Sequence, residues 1–436
     1  MHDPNENFDI NLGEISKIEG AASLTIRVRN GLIEDLKFSI SEWKRFYTQA
    51  IQGKPTVAIP QLVARICGTC SNAHLLCSIK TIENAFGIIP SAQTMLLRKL
   101  LYLGLLIRDH ALHLYIFSLP DIYGKNSILD FDENDPVQKQ LLDDAFAVKE
   151  VGNQLSIRVG GRSVHAPFPT IGGFLKLPKL EELKEMIIKL SHIRERIIRL
   201  IDIFQKTPDT LAPKDHIEFS SLSSADFSFL QGAMKNSSAL PIEENTFGDH
   251  LDKFVIPYSH ARGFKFKGNL MMVGALARLN LSKNSLHAKT KVTAANALAI
   301  FPSANLFHNN LAQAVEILHA VDLASDLIES LSSLNQEPLL QIKAVESTGV
   351  GVIEAPRGTL YHKYEIGADG IVKKAEIIVP TGQNQILMER GITQLSQGLL
   401  EKKSSKDIII NETEKLIRAF DPCMSCATHF LKVKWQ

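Results

Sequence analysis

Two Cys-x-x-Cys pairs lie at opposite ends of this sequence, Cys67 with Cys70 and Cys423 with Cys426. Each pair can present two thiolates to one ion, and together they supply the four sulfurs that soft or borderline metals prefer. In zinc ribbons the two halves of such a site lie about 15–20 residues apart. Here more than 350 residues intervene, so the two ends of the fold must meet if both pairs bind one centre. The spacing therefore predicts a single large domain over residues 1–436, with both pairs at its core.

The residues alone leave several interpretations of these cysteines open. A shared metal site and separate, inert thiols both agree with the spacing, and composition does not choose between zinc, an Fe–S cluster and nickel. A structural protein built on a four-cysteine zinc site is one alternative. Five cysteines among 436 residues are too few for a disulfide scaffold. The fifth, Cys77, lies in an apolar stretch and is predicted to be a buried, inert thiol.

Charge and hydropathy argue against two classes of interaction. The 48 lysines and arginines balance 47 aspartates and glutamates, so the chain lacks the positive excess that is typical of nucleic-acid-binding proteins. The first residues are polar and acidic, unlike a signal peptide. The most apolar stretch, residues 96–117, contains charged residues such as Arg98, Arg108 and Asp109, which argue against a transmembrane segment. We therefore predict a soluble, cytoplasmic protein, in which free thiols persist.

The hydrophobic pattern predicts an α+β fold that is mainly α. Apolar residues recur at helical spacing in four segments, residues 60–117, 137–157, 178–206 and 284–333. Alternating apolar and polar residues around Asn30-Gly31 predict a β-hairpin within residues 12–40, and residues 343–380 have the composition of further strands. A short helix is predicted over residues 411–420. We expect a central helical bundle flanked by small antiparallel sheets.

The residues around the two cysteine pairs resemble a known family. The segments RICGTCSNAH (65–74) and DPCMSCATH (421–429) are similar to the two signature motifs of the large, catalytic subunit of [NiFe]-hydrogenases. Six further segments match that family in order and spacing: KIEG (17–20), RDHALHLY (108–115), GGRSVHAPFPTIGGF (160–174), VGALARL (273–279), EAPRGTLYH (354–362) and PTGQN (380–384). The resemblance covers essentially the whole chain and is to the shorter, cytosolic members. It implies the fold of the [NiFe]-hydrogenase large subunit.

The resemblance implies a bimetallic centre. In the family four thiolates hold nickel, and they correspond here to Cys67, Cys70, Cys423 and Cys426. Cys70 and Cys426 correspond to the two that bridge to an iron carrying CO and cyanide. The implied reaction is the reversible heterolytic cleavage of H2 into protons and electrons. The terminal thiolate of Cys423 is implied to accept the proton.

Four further residues gain catalytic roles only through this resemblance. Glu19 is implied to be the first proton relay, although the residues alone favour an ordinary glutamate paired with Lys17. Arg357 is implied to lie over the open metal position, where its permanent charge suits electrostatic steering. Asp109 and Asp421 are implied to hold this arginine in place. Without the resemblance, Arg357 is more typical of an exposed turn arginine, and for Asp421 a helix-ending residue and a site residue are equally open.

Two more residues are implied to contact the cofactor. Pro356 precedes Arg357, and His74 is expected to donate a hydrogen bond to a cysteine sulfur. His110 and His113 lie three residues apart on a predicted helix. We predict buried, hydrogen-bonded histidines at these two positions, with a metal-binding pair as the alternative.

The sequence departs from the family pattern near the site. Ala21 follows Gly20, where the family usually has a histidine. Thr48 replaces a glutamate that, with the histidine corresponding to His429, helps many members to hold a second metal, Mg or Fe. A second metal site at His429 is therefore an open expectation. The residues that follow, FLKVKWQ (430–436), fit either a tail that is removed during maturation or a retained edge strand.

The resemblance also implies partners. Beyond the four metal ligands only Cys77 remains, so electrons are expected to leave through a small subunit that carries Fe–S clusters. Maturation proteins are expected to build the centre, and H2 and protons are the expected substrates. One alternative is a regulatory, H2-sensing large subunit with low turnover. A structural subunit of a respiratory complex is a further alternative, against which the presence of all four cysteines argues.

Overall fold

Helices form the centre of the fold in the computed structural model, which describes residues 7–429. The α-helices of these residues are α1 (Tyr47–Ala50), α2 (Ile59–Val63), α3 (Ser71–Phe86), α4 (Ala92–Ala111), α5 (Leu119–Ile122), α6 (Pro136–Gly160), α7 (Leu180–Lys206), α8 (Ala275–Ser282), α9 (Ala288–Thr293), α10 (Ala295–Leu298), α11 (His308–Glu329), α12 (Pro380–Glu401), α13 (Lys406–Ala419) and α14 (Met424–Ala427).

Small sheets flank the helices. The strands of the described residues are β1 (Phe8–Leu12), β2 (Ala22–Arg29), β3 (Leu32–Ile40), β4 (Pro169–Thr170), β5 (Gly173–Phe174), β6 (Ile217–Ser223), β7 (Ala233–Asn236), β8 (Leu251–Val255), β9 (Arg262–Phe266), β10 (Leu270–Met272), β11 (Ser347–Ala355), β12 (Gly358–Ile366) and β13 (Val372–Ile378). β1-β2-β3 and β11-β12-β13 are antiparallel sheets, and β6 pairs with parallel β10 and antiparallel β7. β4 pairs with β5, and β8 pairs with β9.

The helical core is built around α4 and α11. α4 packs against α6 and α11, and α11 also packs against α7 and α8. Glycines let α4 and α6 approach closely, since a Cβ on Gly152 would lie only 2.6 Å from the backbone nitrogen of Arg108. α3 packs against β11 and β12, so the bundle meets that sheet directly. One buried apolar cluster joins these elements and includes the four cysteines of both Cys-x-x-Cys pairs.

The most apolar helix of the chain is part of this core. α4 continues through a π-helical segment, Leu112–Ser118, into α5, so that one helix spans residues 92–122. Within the described residues this is the one helix whose length and composition would allow it to cross a membrane, yet 83% of its most apolar window is buried in the protein. Its Arg98 and Asp109 form ion pairs with other parts of the fold. This burial is that of a core helix.

The structure confirms the predicted class, an α+β fold that is mainly α with small antiparallel sheets. The predicted hairpin turns at Asn30-Gly31, where Arg29 pairs with Leu32. The strands predicted within residues 343–380 form β11, β12 and β13.

Three details of the predicted secondary structure are corrected. The helical segment predicted over residues 284–333 is interrupted between α10 and α11, around Pro302, which lacks the N–H that a helix interior needs. The C-terminal helix begins at Lys406 rather than 411, because Ser405 caps it by accepting a hydrogen bond from Ile408 N at 3.4 Å. The strands β6 to β10 had no counterpart in the prediction.

Candidate metal centre

The four cysteines of the two Cys-x-x-Cys pairs meet in one buried cluster. Their sulfur atoms all lie within 4.8 Å of one another. Sγ of Cys67 lies 3.4 Å from Sγ of Cys423, and Sγ of Cys70 lies 3.2 Å from Sγ of Cys426. The two sulfurs of the C-terminal pair are 2.8 Å apart. Within the described residues this is the one group of metal-ligand side chains that the fold brings together.

The N-terminal segment helps to hold the C-terminal pair in place. The backbone of Glu19 forms a β-bridge with Cys423 and accepts a hydrogen bond from Met424 N at 2.9 Å. Gly20 allows this approach, because its φ is +82° and a Cβ there would lie 2.8 Å from Met424 Cβ. Thr381 at the start of α12 fixes the other side, since its hydroxyl accepts from Cys423 N at 2.8 Å. Side chains and backbone from three distant segments therefore build the cluster.

The charge balance of the cluster fits a bound metal. Hydrogen bonds from the other three sulfurs hold the pKa of the Cys67 thiol well below its usual range. Burial raises the pKa of the Cys423 and Cys426 thiols well above theirs. Burial thus disfavours thiolates at Cys423 and Cys426, and a bound cation would stabilise them. Four buried sulfurs at one point suit soft and borderline metals, a group that includes nickel and iron.

Glu19 contacts the cluster directly. Its Oε2 accepts from the Cys423 thiol at 3.0 Å and from Ser425 N at 3.2 Å, and its Oε1 accepts from the Ser425 hydroxyl at 2.6 Å. Burial raises the pKa of this carboxyl, and the negative charge of Cys67 raises it further. Lys17, the partner that the residues alone suggested, binds Asp121 instead. Glu19 is therefore a buried carboxyl group within proton-transfer distance of a cysteine sulfur.

Arg357 lies in a buried cage of two carboxylates. Its Nη1 is 2.9 Å from Asp109 Oδ1, and its Nη2 is 2.9 Å from Asp421 Oδ1. Burial disfavours the charged guanidinium, but the two carboxylates, together with the sulfurs of Cys423 and Cys70, hold its pKa well above the usual range. These contacts are ion pairs without hydrogen-bond alignment, since none of its three nitrogens has an aligned acceptor among the described residues. A fixed, charged donor group thus lies beside the sulfurs.

A second buried network places the turn before this arginine, and it was not predicted from the sequence. Arg278 donates to Glu316 from Nε and Nη2, both at 2.7 Å, and to Glu354 from Nη1 at 2.9 Å. The same guanidinium donates to the carbonyl oxygens of Ala355 at 3.1 Å and Pro356 at 2.9 Å. Pro356, which is implied to contact the cofactor, is therefore held through its backbone.

Helix α11 supports the cage from another side. Gln313 donates to Asp421 Oδ2 at 2.9 Å and also contacts His113 Nδ1. His110 Nε2 lies 3.0 Å from Glu316 Oε2. The two histidines of the long helix over residues 92–122 therefore have separate hydrogen-bond partners on α11, and neither belongs to the group of possible metal ligands in the described residues. Gln313 was not among the predicted site residues.

His74 lies next to the cluster on α3. Its Nε2 is 3.6 Å from Sγ of Cys426, and its Nδ1 is 3.3 Å from Nε2 of His362. Nδ1 of His362 is in turn 2.7 Å from the hydroxyl of Tyr364. Burial lowers the pKa of His74 to about 3 and that of His362 well below its usual range. The structure thus places His74 at a cysteine sulfur and adds His362 and Tyr364, which sequence reasoning missed.

The residues around His429 do not complete the second metal site that the resemblance implies. Nδ1 of His429 lies 2.6 Å from the carbonyl oxygen of Cys426, and Nε2 lies 2.9 Å from that of Ile377. Thr48 donates its hydroxyl to the carbonyl of His429 at 3.2 Å and offers no negative charge. Mg²⁺ binds in proteins through carboxylates, and this set supplies only neutral donors.

The surroundings of His429 add to this mismatch. Three cationic side chains line the adjoining cavity of about 350 Å³: Lys253, Arg262 and Lys374. Its carboxylate, Glu376, is paired with Lys253. Residues 430–436, for which removal or retention as an edge strand was expected, lie outside the described residues.

Sequence comparisons identify relatives over most of the chain. The sequence model of the nickel-dependent hydrogenases matches residues 45–154 and 137–429. The alpha subunit of sulfhydrogenase 2 from Pyrococcus furiosus is 31% identical, over 97% of this chain and 100% of its own length. The vhu F420-non-reducing hydrogenase from Methanocaldococcus jannaschii has one subunit that is 28% identical, over 88% of this chain and 97% of its own length.

Solved structures share the fold. An NAD+-reducing [NiFe]-hydrogenase in the H2-reduced state matches with a TM-score of 0.84 at 24% identity, over 97% of this chain and 99% of that one. A [NiFeSe] hydrogenase from Desulfovibrio vulgaris Hildenborough matches with a TM-score of 0.77 at 18% identity, over 97% and 100%. The predicted large-subunit fold is therefore confirmed. The family matches likewise confirm the prediction of a hydrogenase, and this chain belongs to the nickel-dependent hydrogenase family, the oxidoreductases that act on H2.

Proposed function

We propose that this chain is the catalytic subunit of a [NiFe]-hydrogenase, which cleaves H2 reversibly and heterolytically into two protons and two electrons. The observation that carries the proposal is the buried cluster of four cysteine sulfurs within 4.8 Å of one another. Cys67, Cys70, Cys423 and Cys426 would hold nickel, and Cys70 and Cys426 would share their sulfurs with an iron that carries CO and cyanide. When bound, this centre supplies the redox and H2-activating chemistry.

Cys423 and Glu19 are the proposed start of the proton path. The Cys423 sulfur accepts the proton that leaves H2 and passes it to Glu19, whose Oε2 lies 3.0 Å away. Hydrogen bonds from the Ser425 amide and hydroxyl fix the carboxyl in this position. The transfer needs only a short movement of the proton along an existing hydrogen bond.

Arg357 is the proposed electrostatic group of the site. Asp109 and Asp421 hold its guanidinium at 2.9 Å each, so its charge stays fixed beside the sulfurs. A guanidinium does not lose its proton under ordinary conditions, and its role here is steering and charge stabilisation. Pro356 and His74 complete the lining of the centre.

The chain is proposed to work with a partner subunit. The relatives named above are themselves subunits of hydrogenases. The sequence has one cysteine beyond the four of the cluster, so the electrons are proposed to pass to a small subunit that carries Fe–S clusters. Maturation proteins are proposed to assemble the centre, and residues 1–436 are proposed to form one domain in the cytoplasm.

The first test is the metal content of the chain purified with its natural partner. We expect nickel and iron near one each, beyond the iron of the partner, together with infrared bands of CO and cyanide and H2-dependent reduction of a dye. Zinc in place of nickel, without these bands, would reject the proposal. A complete centre with very low turnover would favour the H2-sensing alternative.

A pair of cysteine variants makes the test specific to the cluster. Cys423→Ser removes a sulfur that contacts Glu19 and two other sulfurs, so nickel and H2 oxidation should both be lost. Cys77→Ser is the matched control, because Cys77 is also buried but lies outside the cluster and donates to backbone carbonyls of β11 and β12. It should keep nickel and activity. Equal nickel content in the two variants would contradict the assignment of Cys423.

A further inference from the structure

Residues 43–48, which we call the strap, form hydrogen bonds with both segments that carry the cysteine pairs. Toward the first segment, the Tyr47 hydroxyl donates to the Arg65 carbonyl at 2.8 Å. Toward the second, the Thr428 hydroxyl donates to the Trp43 carbonyl at 3.1 Å. The strap therefore joins two segments that come from opposite ends of the sequence.

One side chain of the strap contacts both segments at once. Nη2 of Arg45 donates to the carbonyl oxygen of Ile66 at 2.8 Å and to that of Ser425 at 3.2 Å. Ile66 directly precedes Cys67, and Ser425 directly precedes Cys426. Each carbonyl belongs to the planar peptide unit that also contains the amide nitrogen of the cysteine. A single nitrogen atom thus holds the peptide units that lead into one cysteine of each pair.

The arginine is itself held in place by the strap. Its amide N–H donates to the Thr428 carbonyl at 3.3 Å, and its guanidinium lies 5.9 Å from the centre of the Tyr47 ring. Phe46 follows Arg45 in the left-handed conformation, with φ of 47° and ψ of 36°, which residues other than glycine rarely adopt. Such a conformation persists where the surrounding contacts dictate it, and these positions cluster at functional sites.

We propose that Arg45 is a positioning residue, which sets the spacing between the two cysteine pairs by bridging the carbonyls of Ile66 and Ser425. This proposal rests on the proposed function, in which both pairs hold one nickel and Cys70 and Cys426 share their sulfurs with the iron. A guanidinium suits the task, because it stays charged and its hydrogens point in fixed directions. Without the bridge each pair is held by its own segment alone, and the sulfur geometry around the metals becomes variable.

The test is the infrared spectrum of the complete complex with Arg45→Met. Methionine keeps an unbranched chain but has no hydrogen to donate to either carbonyl. The CO band reports the electron density that the sulfurs give to the iron, so a variable sulfur geometry should broaden the band and move it from its wild-type position. Nickel release to a chelator should become about tenfold faster, at the low end of the effects seen when a group that orients metal ligands is lost.

Arg45→Lys separates the donated hydrogen bonds from the volume of the side chain. An ammonium group has three hydrogens on a four-carbon stem, so lysine can donate to both carbonyls. This variant should restore a narrow CO band and slow nickel release. If Arg45 only filled space on the surface, methionine and lysine would give the same result, and the inference would be rejected.

Arg29→Met is the matched control. Nη1 of Arg29 also bridges two backbone carbonyls, that of Phe8 at 3.3 Å and that of Val28 at 2.7 Å. Arg29 ends β2, about 20 Å along the strand from Ala22, which begins it near the cluster. This variant should leave the CO band and the rate of nickel release unchanged. An equal change in the Arg29 and Arg45 variants would indicate a general loss of stability and would overturn the inference.

The outcomes separate this inference from the proposed function. A wild-type CO band and wild-type nickel release in Arg45→Met would overturn the inference and leave the proposed function intact. If Arg45→Met fails to accumulate, Arg45→Gln takes its place, because its shorter, uncharged side chain cannot bridge both carbonyls; a wild-type band there would likewise overturn the inference. Absence of nickel and of CO and cyanide bands from the wild-type complex would overturn both.

Discussion

Two buried arginines, Arg278 and Arg357, differ in how their donors are used. Each faces two carboxylates: Glu316 and Glu354 for the first, Asp109 and Asp421 for the second. All three nitrogens of Arg278 donate to carboxylate or carbonyl oxygens at 3.1 Å or less. The nitrogens of Arg357 make ion pairs at 2.9 Å, but none has an aligned acceptor among the described residues.

Under the proposed function, this difference separates a structural arginine from a functional one. A buried guanidinium whose N–H donors all have acceptors stabilises the groups around it, and no donor remains to bind a ligand. Arg278 uses its spare donors on the backbone of Ala355 and Pro356, the two residues before Arg357. Arg278, whose donors are all used, therefore places Arg357, whose donors have no aligned acceptor among the described residues.

The largest effect is expected from Arg278→Met. It leaves Glu316 and Glu354 buried without their positive partner, and such a loss costs about 3–5 kcal/mol of stability. It also releases the turn that carries Arg357. Thermal unfolding of the complex at a fixed scan rate should show a lower midpoint, and the H2 oxidation rate per nickel should fall.

Arg98→Met is the matched control for this prediction. Arg98 of α4 is buried and donates to both carboxylate oxygens of Glu83 on α3, at 2.8 Å and 2.6 Å. Arg98→Met should lower the midpoint of thermal unfolding by a similar amount. The folded protein should keep the wild-type H2 oxidation rate per nickel. An unchanged midpoint in Arg278→Met would contradict the structural role of that arginine.

Arg357→Lys should separate activity from stability. Lysine keeps the positive charge between Asp109 and Asp421 but lacks the planar fork that faces both at once. We expect H2 oxidation to fall about 10²–10³-fold, as for the loss of one preorganised electrostatic group. The unfolding midpoint should stay close to that of the wild-type complex. Near-normal turnover would remove Arg357 from the proposed mechanism, and gross unfolding would make it a second structural arginine.

The sequence predicted those elements whose pattern is local. α7 lies within the amphipathic segment 178–206, and the chain turns at Asn30-Gly31, where the sequence predicted a hairpin. α12 was missed because its first turns bury polar side chains, Thr381, Gln383, Asn384 and Gln385, which interrupt the apolar period. These polar residues serve the site and its neighbours, as Thr381 does for Cys423.

The residues of the site could be predicted only where a sequence motif marks them. Cys67, Cys70, Cys423 and Cys426 were found by spacing, whereas the roles of Glu19, Asp109, Arg357 and Asp421 came from resemblance alone. Arg278 lies in the matched segment VGALARL, yet its partners Glu316 and Glu354 are 38 and 76 positions away, so no local pattern could pair them. Gln313 reaches Asp421, and Tyr364 reaches His362, through contacts that only the folded chain creates.

The smallest of these effects is expected from Gln313→Met. Methionine fills a similar volume but removes the hydrogen bond of 2.9 Å to Asp421 Oδ2. Asp421 keeps its ion pair with Arg357, so its position is loosened rather than lost. A hydrogen bond to a charged group contributes about 1.5–3 kcal/mol. Because the ion pair with Arg357 still holds Asp421, only part of this contribution is lost. We therefore expect H2 oxidation to fall roughly tenfold, which corresponds to about 1.4 kcal/mol.

Gln385→Met, which removes a buried glutamine that donates to Ser259 at 2.9 Å, should leave turnover unchanged. Equal turnover in the two variants would mean that Arg357 is placed by its own carboxylates and by Arg278 alone, without α11.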